Sequence, residues 1–333
     1  MNYSDPVYGP VVIEEPVLLD LIQTFTIQRL RGVLQHGISG LLGITRATTR
    51  YEHSLGVMLL VRRLGAPLEE QIAALLHDAS HTAFSHVVDY VFDGHDSQSY
   101  HEEMKESYLA GSDIPEVLAK HGYDWRAFLE EAQYPLLEQP TPDLCADRLD
   151  YFLRDSRDLG LATGEQTRTA LENLLDYGQR IVVKQVETAR WLGYTFIEAD
   201  QASWANFREV GIYELTARAI RTALRIGVLD ENDLWTTDQE AWDKLRSSTA
   251  PELQRQVKLI STETQFVWDE AAPTFRVSTK LRTIDPLVLL HGRVRRLSAL
   301  DPEFARHRAA YLKDKAGKWP IRVKIEKGIE DRG

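Results

Sequence analysis

The chain has 333 residues, 43% hydrophobic and 27% charged, an ordinary balance for a globular protein with a sizeable core. A formal net charge of −11 weighs against broad nucleic-acid binding, which needs basic surface to displace counterions, but leaves room for a phosphate-bearing small molecule in a locally positive pocket. No apolar run is long enough to span a bilayer, and Met1–Asp5 lacks the basic and apolar regions of a signal peptide. The single cysteine, Cys145, excludes an intrachain disulfide and fits a reducing cytoplasm.

In chain order, Val11–Pro16 reads as extended and Leu18–Gln35 as helical, with Leu18, Leu21, Ile22 and Phe25 at helical spacing. The Gly-rich stretch Gly37–Gly43 breaks that pattern. Tyr51–Leu64 is a predicted helix, and Pro67 opens another that runs to His77, with Glu69 and Glu70 in a first turn whose dipole suits acids. Further helices are predicted over Phe84–Phe92, His101–Ala110, Ile114–Lys120, Trp125–Ala132, Asp143–Asp155 and Trp204–Ile226, with a strand at Arg180–Glu187. Beyond about residue 250 the pattern changes: Gln256–Leu259, Thr274–Thr279 and Pro320–Lys327 read as strands around a helical stretch near Leu287–Leu297. The expectation is a mostly α protein, with a helical catalytic body over residues 1–245 and a smaller α+β part over 246–333.

Six of the chain's ten histidines (His53, His77, His81, His86, His95 and His101) fall between Arg50 and His101. Random scatter would place far fewer there, so the cluster asks for a chemical reason. A divalent metal takes imidazole nitrogen and carboxylate oxygen, with positions left for water and substrate. His77 and Asp78 close an apolar helical run and can aim at one ion where a helix ends. His53 lies on the preceding helix and Asp147 on a later one, and helical bundles build metal sites from such separate helices. His86 and Asp89, three residues apart, can pair; a carboxylate on an imidazole fixes its tautomer and raises its basicity for proton transfer. Taken alone, a His-Asp dipeptide is more often a surface or core pair than a metal site, and His95 and His121 read as ordinary loop or surface residues.

The longer strings are more specific. Arg50-Tyr51-Glu52-His53, His77-Asp78-x-x-His81-x-x-Phe84-Ser85-His86 and Asp147-Arg148-Leu149-Asp150-Tyr151, with Asp5-Pro6-Val7-Tyr8-Gly9, Gln28-Arg29-Leu30-Arg31 and Gln35 upstream, resemble the HD-domain phosphohydrolases. Within that superfamily the likeness is to the deoxynucleoside triphosphate triphosphohydrolase branch, over roughly residues 5–165, and it is nearest to the catalytic region of the members that also carry a sterile-alpha-motif domain. The resemblance implies an HD-domain helical bundle that holds a divalent ion (Mn, Fe, Mg, Co, Ni or Zn) through His53, His77, Asp78 and Asp147. It implies catalytic roles near the scissile phosphate for His86, supported by Asp89 and His101, and for His81. Arg50 and Arg148 match phosphate-holding positions, with Arg148 standing where the family has lysine. Gln35, Tyr151 and Asp155 match sugar-side positions, where a tyrosine leaves no room for a 2′-hydroxyl.

The resemblance further implies a nucleotide substrate and a homo-oligomer, since relatives assemble as dimers, tetramers or hexamers. There are departures from the family pattern. Ala79-Ser80 replace the usual small or aliphatic pair, and His36 stands where a relative has an apolar residue. Gln23 replaces the acid that reads guanine in regulated relatives, which argues against a guanine-specific activator site. Hydrolysis of a dNTP to deoxynucleoside and triphosphate is the leading expectation. The alternative is a phosphatase or phosphodiesterase acting on nucleoside monophosphates, cyclic nucleotides or alarmones.

Overall fold

The structure is a computed structural model that describes residues 1–92 and 98–324. His95 and the end of the strand predicted to Lys327 lie outside those residues.

A short hairpin, β1 (Asn2–Asp5) and β2 (Gly9–Val12), opens the chain. The segment expected as one helix to Gln35 is instead α1 (Pro16–Gln23) and α2 (Phe25–Arg29). Thr24 divides them: its backbone is extended and its side chain caps α2 through the Ile27 amide. After α3 (Gly37–Leu41), the helices α4 (Arg50–Arg63) and α5 (Leu68–Leu76) pack together as the centre of the body. A reciprocal cap at Thr49 and Glu52 starts α4, which buries nearly every residue from Arg50 to Val61.

α6 (Val87–Val91), α7 (Tyr100–Ala110) and α8 (Ile114–Lys120) follow, and the Trp125–Ala132 stretch forms two short 3-10 turns rather than a helix. α9 (Ala146–Asp158) returns to pack on α4. Next come α10 (Gly164–Asn173), β3 (Leu174–Asp176), β4 (Ile181–Val183) and α11 (Val186–Ala199), so the strand expected over Arg180–Glu187 is three residues long. A π-helical turn, Asp200–Trp204, leads into α12 (Phe207–Arg225), followed by α13 (Asp238–Ser247) and α14 (Pro251–Lys258).

Two expectations in the C-terminal part are corrected. Gln256–Leu259 belongs mostly to α14, which Pro251 starts at a position suited to proline and which buries Leu253. Leu287–Leu297 is mainly a hairpin, β7 (Leu287–Leu290) and β8 (Arg293–Arg296), because His291 and Gly292 both take positive φ (48° and 75°), the geometry of a tight two-residue turn. β4 runs parallel to β7, which gives the order β3-β4-β7-β8. After β5 (Gln265–Trp268) and β6 (Phe275–Val277) in sequence, α15 (Leu297–Leu300), α16 (Pro302–Lys315) and β9 (Trp319–Lys324) complete the chain, with β9 central in the sheet β5-β9-β6. The result is mostly helical with small sheets, as expected. No helix of the described residues is long and apolar enough to cross a membrane.

Gly56 shows how α4 and α9 meet. A Cβ there would stand 2.0 Å from Asp150 Oδ1 and 2.1 Å from Arg154 Nη2, so only glycine lets the helices approach with these charged groups between them. Gly56→Ala is expected to cost about 1–3 kcal/mol, read as a lowered melting temperature. An unchanged melt would mean that this contact is loose.

Candidate metal and active site

α4, α5 and α9 converge on one end of a cleft of about 550 Å³. His53 rises from α4, His77 and Asp78 follow the last residue of α5, and Asp147 lies in the first turn of α9. Each imidazole has one nitrogen already committed. His53 Nδ1 lies 2.7 Å from Asp150 Oδ2 and His77 Nδ1 lies 2.7 Å from the Ala74 carbonyl, so both Nε2 atoms face inward. These two atoms are 3.3 Å apart. His53 Nε2 is 3.0 Å from Asp147 Oδ1 and 3.6 Å from Asp78 Oδ2, and His77 Nε2 is 3.6 Å from Asp78 Oδ1 and 3.7 Å from Asp147 Oδ1. Donors bound about 2.1 Å from one first-row ion stand about 3.0–3.4 Å apart, so this spacing and donor set fit a divalent metal. His53, His77 and Asp147 thus form one three-donor group, and Asp78 borders it with Oδ2 toward His53 and Oδ1 toward His77, the latter oxygen also facing His81.

Burial alone would lower the His53 pKa, but hydrogen bonds with Asp147 and Asp150 push it up to about 10. Burial opposes ionisation of Asp78, yet Arg50, His77 and His81 hold its carboxyl well below the usual range. The cluster is built for positive charge, and a metal would compete there with protons.

Around the donors lies a buried network with no counterpart in the candidate set. Asp150 accepts from His53 and from Arg154 Nε (2.8 Å), and Tyr8 donates to its other oxygen at 2.8 Å. Arg154 also reaches Asp5 at 2.9 Å. A carboxylate behind a metal-facing imidazole orients the ring and raises its basicity. The signal was present in Asp5-Pro-Val-Tyr8 and in the acidic-basic run of α9, but the partners are separated by up to 149 residues.

On the other side of Asp78 three histidines gather. His81 Nε2 is 3.2 Å from Asp78 Oδ1, and its ring stacks on His101 at 3.9 Å. His86 stands edge-on to His81 at 5.1 Å, and its Nδ1 is 3.0 Å from Asp89 Oδ2. Asp89 also accepts from the Tyr100 amide at 3.0 Å, which fixes it for that task. Burial first, then Arg50, Arg282 and Lys280, drives the His86 pKa well below its usual value. Phe84 and Ser85 have positive φ (62° and 50°) in a fully buried turn, held by Asp238 on the Phe84 amide (2.7 Å) and by Ser85 on the Leu34 carbonyl (2.6 Å). Ser80, one of the departures, donates to the His101 carbonyl at 2.8 Å.

The substrate candidates divide. Arg50 bonds Asp78 (2.6 Å) and Ser85 (2.8 Å) at the cleft wall. Arg148 also lines the cleft, but its guanidinium is committed to the Asp143 carbonyl (2.8 Å), the Gln139 carbonyl (3.2 Å) and Glu138 (3.2 Å). Gln35 lines the cleft, and its buried Oε1 has no partner among the described residues. Tyr151 packs edge-on against Trp204 at 4.8 Å. Asp155 accepts from Trp204 Nε1 (2.7 Å) and lies 3.0 Å from His36 Nε2. Trp204, Glu209 and Tyr213, from the Trp204–Ile226 stretch that the sequence offers as a candidate wall, also line the cleft, as do Lys280 and Arg282, which the sequence does not single out because they lie far along the chain.

Burial would lower the His36 pKa, but Asp155 and then Glu209 raise it to about 9. A group raised on folding stabilises fully below its unfolded pKa of about 6.5, and that stability is lost as pH rises through about 9. The difference in stability between parent and His36→Gln should therefore shrink across that window, by at most a few kcal/mol; a pH-independent difference would contradict a charged His36.

The HD domain family matches residues 50–155. A metal-dependent phosphohydrolase of Cordyceps militaris, cns2, is 38% identical over 317 residues, covering 92% of this chain and 91% of the relative. The chain belongs to the HD-domain metal-dependent phosphohydrolases. The deoxynucleoside triphosphate triphosphohydrolase SAMHD1 of Gallus gallus is 28% identical over 48% of this chain and 34% of its own length. A hypothetical protein of Aquifex aeolicus has the same fold, with a TM-score of 0.70 at 23% identity over 99% of this chain and 97% of that one.

Proposed function

We propose that the protein hydrolyses a nucleotide phosphoester, in the leading reading a dNTP to deoxynucleoside and inorganic triphosphate. The carrying observation is that one cleft joins the His53/His77/Asp78/Asp147 donor set and the His86–Asp89 pair to a wall of Tyr151, Trp204 and Gln35 suited to a sugar and base. A divalent ion on the four donors would polarise a phosphoryl oxygen and acidify water. Arg50, fixed by Asp78 and Ser85, would hold a phosphate oxygen. His86 would present its Nε2 to the leaving oxygen as the proton donor while Asp89 keeps the ring aimed. The partial likeness to SAMHD1 supports a nucleotide substrate. A homo-oligomeric, cytoplasmic enzyme belongs to the same reading.

One observation favours a shorter phosphate group, as in a nucleoside monophosphate. Arg148, which matches a phosphate-holding position, is committed to Glu138 and two carbonyls, which leaves one fewer cation for a long phosphate chain. The test is a product assay on each dNTP, NTP and monophosphate with Mn²⁺, Mg²⁺ or Co²⁺, resolved by ion exchange. Inorganic triphosphate supports the leading reading. Orthophosphate from monophosphates, with no turnover of triphosphates, replaces it with the second.

A further inference from the structure

We propose that Lys280 and Arg282 form a phosphate seat facing the metal-donor cluster, so that the C-terminal part supplies substrate-binding residues to the active site. The proposal rests on the phosphohydrolase reading in taking a phosphate chain as the occupant. The two residues lie between β6, which pairs with β9, and β7, which pairs with β4 and β8. The intervening stretch is irregular yet firmly held. Its Ser278, Thr279, Thr283, Ile284 and Asp285 are buried. The Arg282 amide donates to Asp200 at 2.9 Å, and the same oxygen accepts from Tyr311 at 2.9 Å. Arg308 holds Thr283 at 3.0 Å, and the Asp285 amide bonds the Pro142 carbonyl at 2.9 Å. These anchors grip the backbone and leave the Lys280 and Arg282 side chains lining the cleft.

Of the cleft's other cations, Arg50 bonds Asp78 and Arg148 bonds Glu138. Among the described residues, the Arg282 guanidinium bonds only neutral oxygens, those of Gln98 and of the Lys280 carbonyl (3.2 Å). A preorganised cation in a cleft with neutral partners keeps its charge for an incoming anion, and a guanidinium fork suits phosphate. Both residues line the same cleft as His86 and Asp147. Asp200 and Tyr311 are then positioning residues for the seat.

The test is calorimetric titration of the full, Mn²⁺-loaded chain with inorganic tripolyphosphate and with orthophosphate. K280Q and R282Q should each weaken tripolyphosphate binding by about tenfold or more, since each removes a charge-assisted hydrogen bond. R276Q, an exposed β6 residue paired with Glu270, controls for net charge and should bind as the parent does. If K280Q and R282Q both match the parent for both anions while melting normally, the seat is refuted. If the parent shows no preference for tripolyphosphate and both variants lose orthophosphate, the seat stands and the triphosphate reading falls.

Discussion

Replacing His77 and Asp78 together by alanine is expected to leave the protein without bound metal and with turnover at least about a thousandfold lower. His77 Nε2 lies 3.3 Å from His53 Nε2 and 3.7 Å from Asp147 Oδ1, the Asp78 carboxylate lies 3.6 Å from both imidazoles, and Asp147 and His53 alone leave half a coordination shell. A metal contributes several kcal/mol of transition-state stabilisation, and each 1.36 kcal/mol is about tenfold in rate. Elemental analysis after dialysis reads the stoichiometry, and circular dichroism checks the fold, since Asp78 also pairs with Arg50. Retained stoichiometry in a folded variant would show that the ion sits elsewhere.

Asp150→Asn should act one layer further out. Asp150 touches no reacting group, yet it holds His53 at 2.7 Å and Arg154 at 2.8 Å. Its amide would orient His53 less well, so metal affinity should fall by about 10–100-fold with the ligand set intact. The companion change, Arg154→Met, leaves the carboxylates of Asp5 and Asp150 buried without their cation, which costs about 3–5 kcal/mol. Metal titration and thermal melting separate the effects: Asp150→Asn is read mainly in affinity, Arg154→Met mainly in stability. A parent-like metal affinity for Asp150→Asn would remove the orienting role.

The candidate metal donors were legible because their motif is local: His77 and Asp78 are adjacent, and His53 and Asp147 sit at helix positions that their own neighbours define. The His86–Asp89 pair was legible for the same reason, being one helical turn apart. What surrounds them was not. Asp5, Tyr8, Asp150 and Arg154 form one buried network only because the opening hairpin folds back onto α9, and no periodicity records that return. Lys280 and Arg282 sit in a segment with no regular pattern, placed by Asp200 and Tyr311 from two other elements. The apolar run at Leu287 fits a helix or a strand equally well by composition. Its pairing with β4 and the His291-Gly292 turn decide for strand, and only the second of these is visible locally.

The claim on which the rest depends is that one divalent ion sits among His53, His77, Asp78 and Asp147. An anomalous difference map from crystals grown with Mn²⁺ tests it most directly. The expected result is a strong peak about 2.1 Å from both Nε2 atoms and from an oxygen of each carboxylate. An empty position there, with the manganese bound at another group of residues in an active protein, would contradict it.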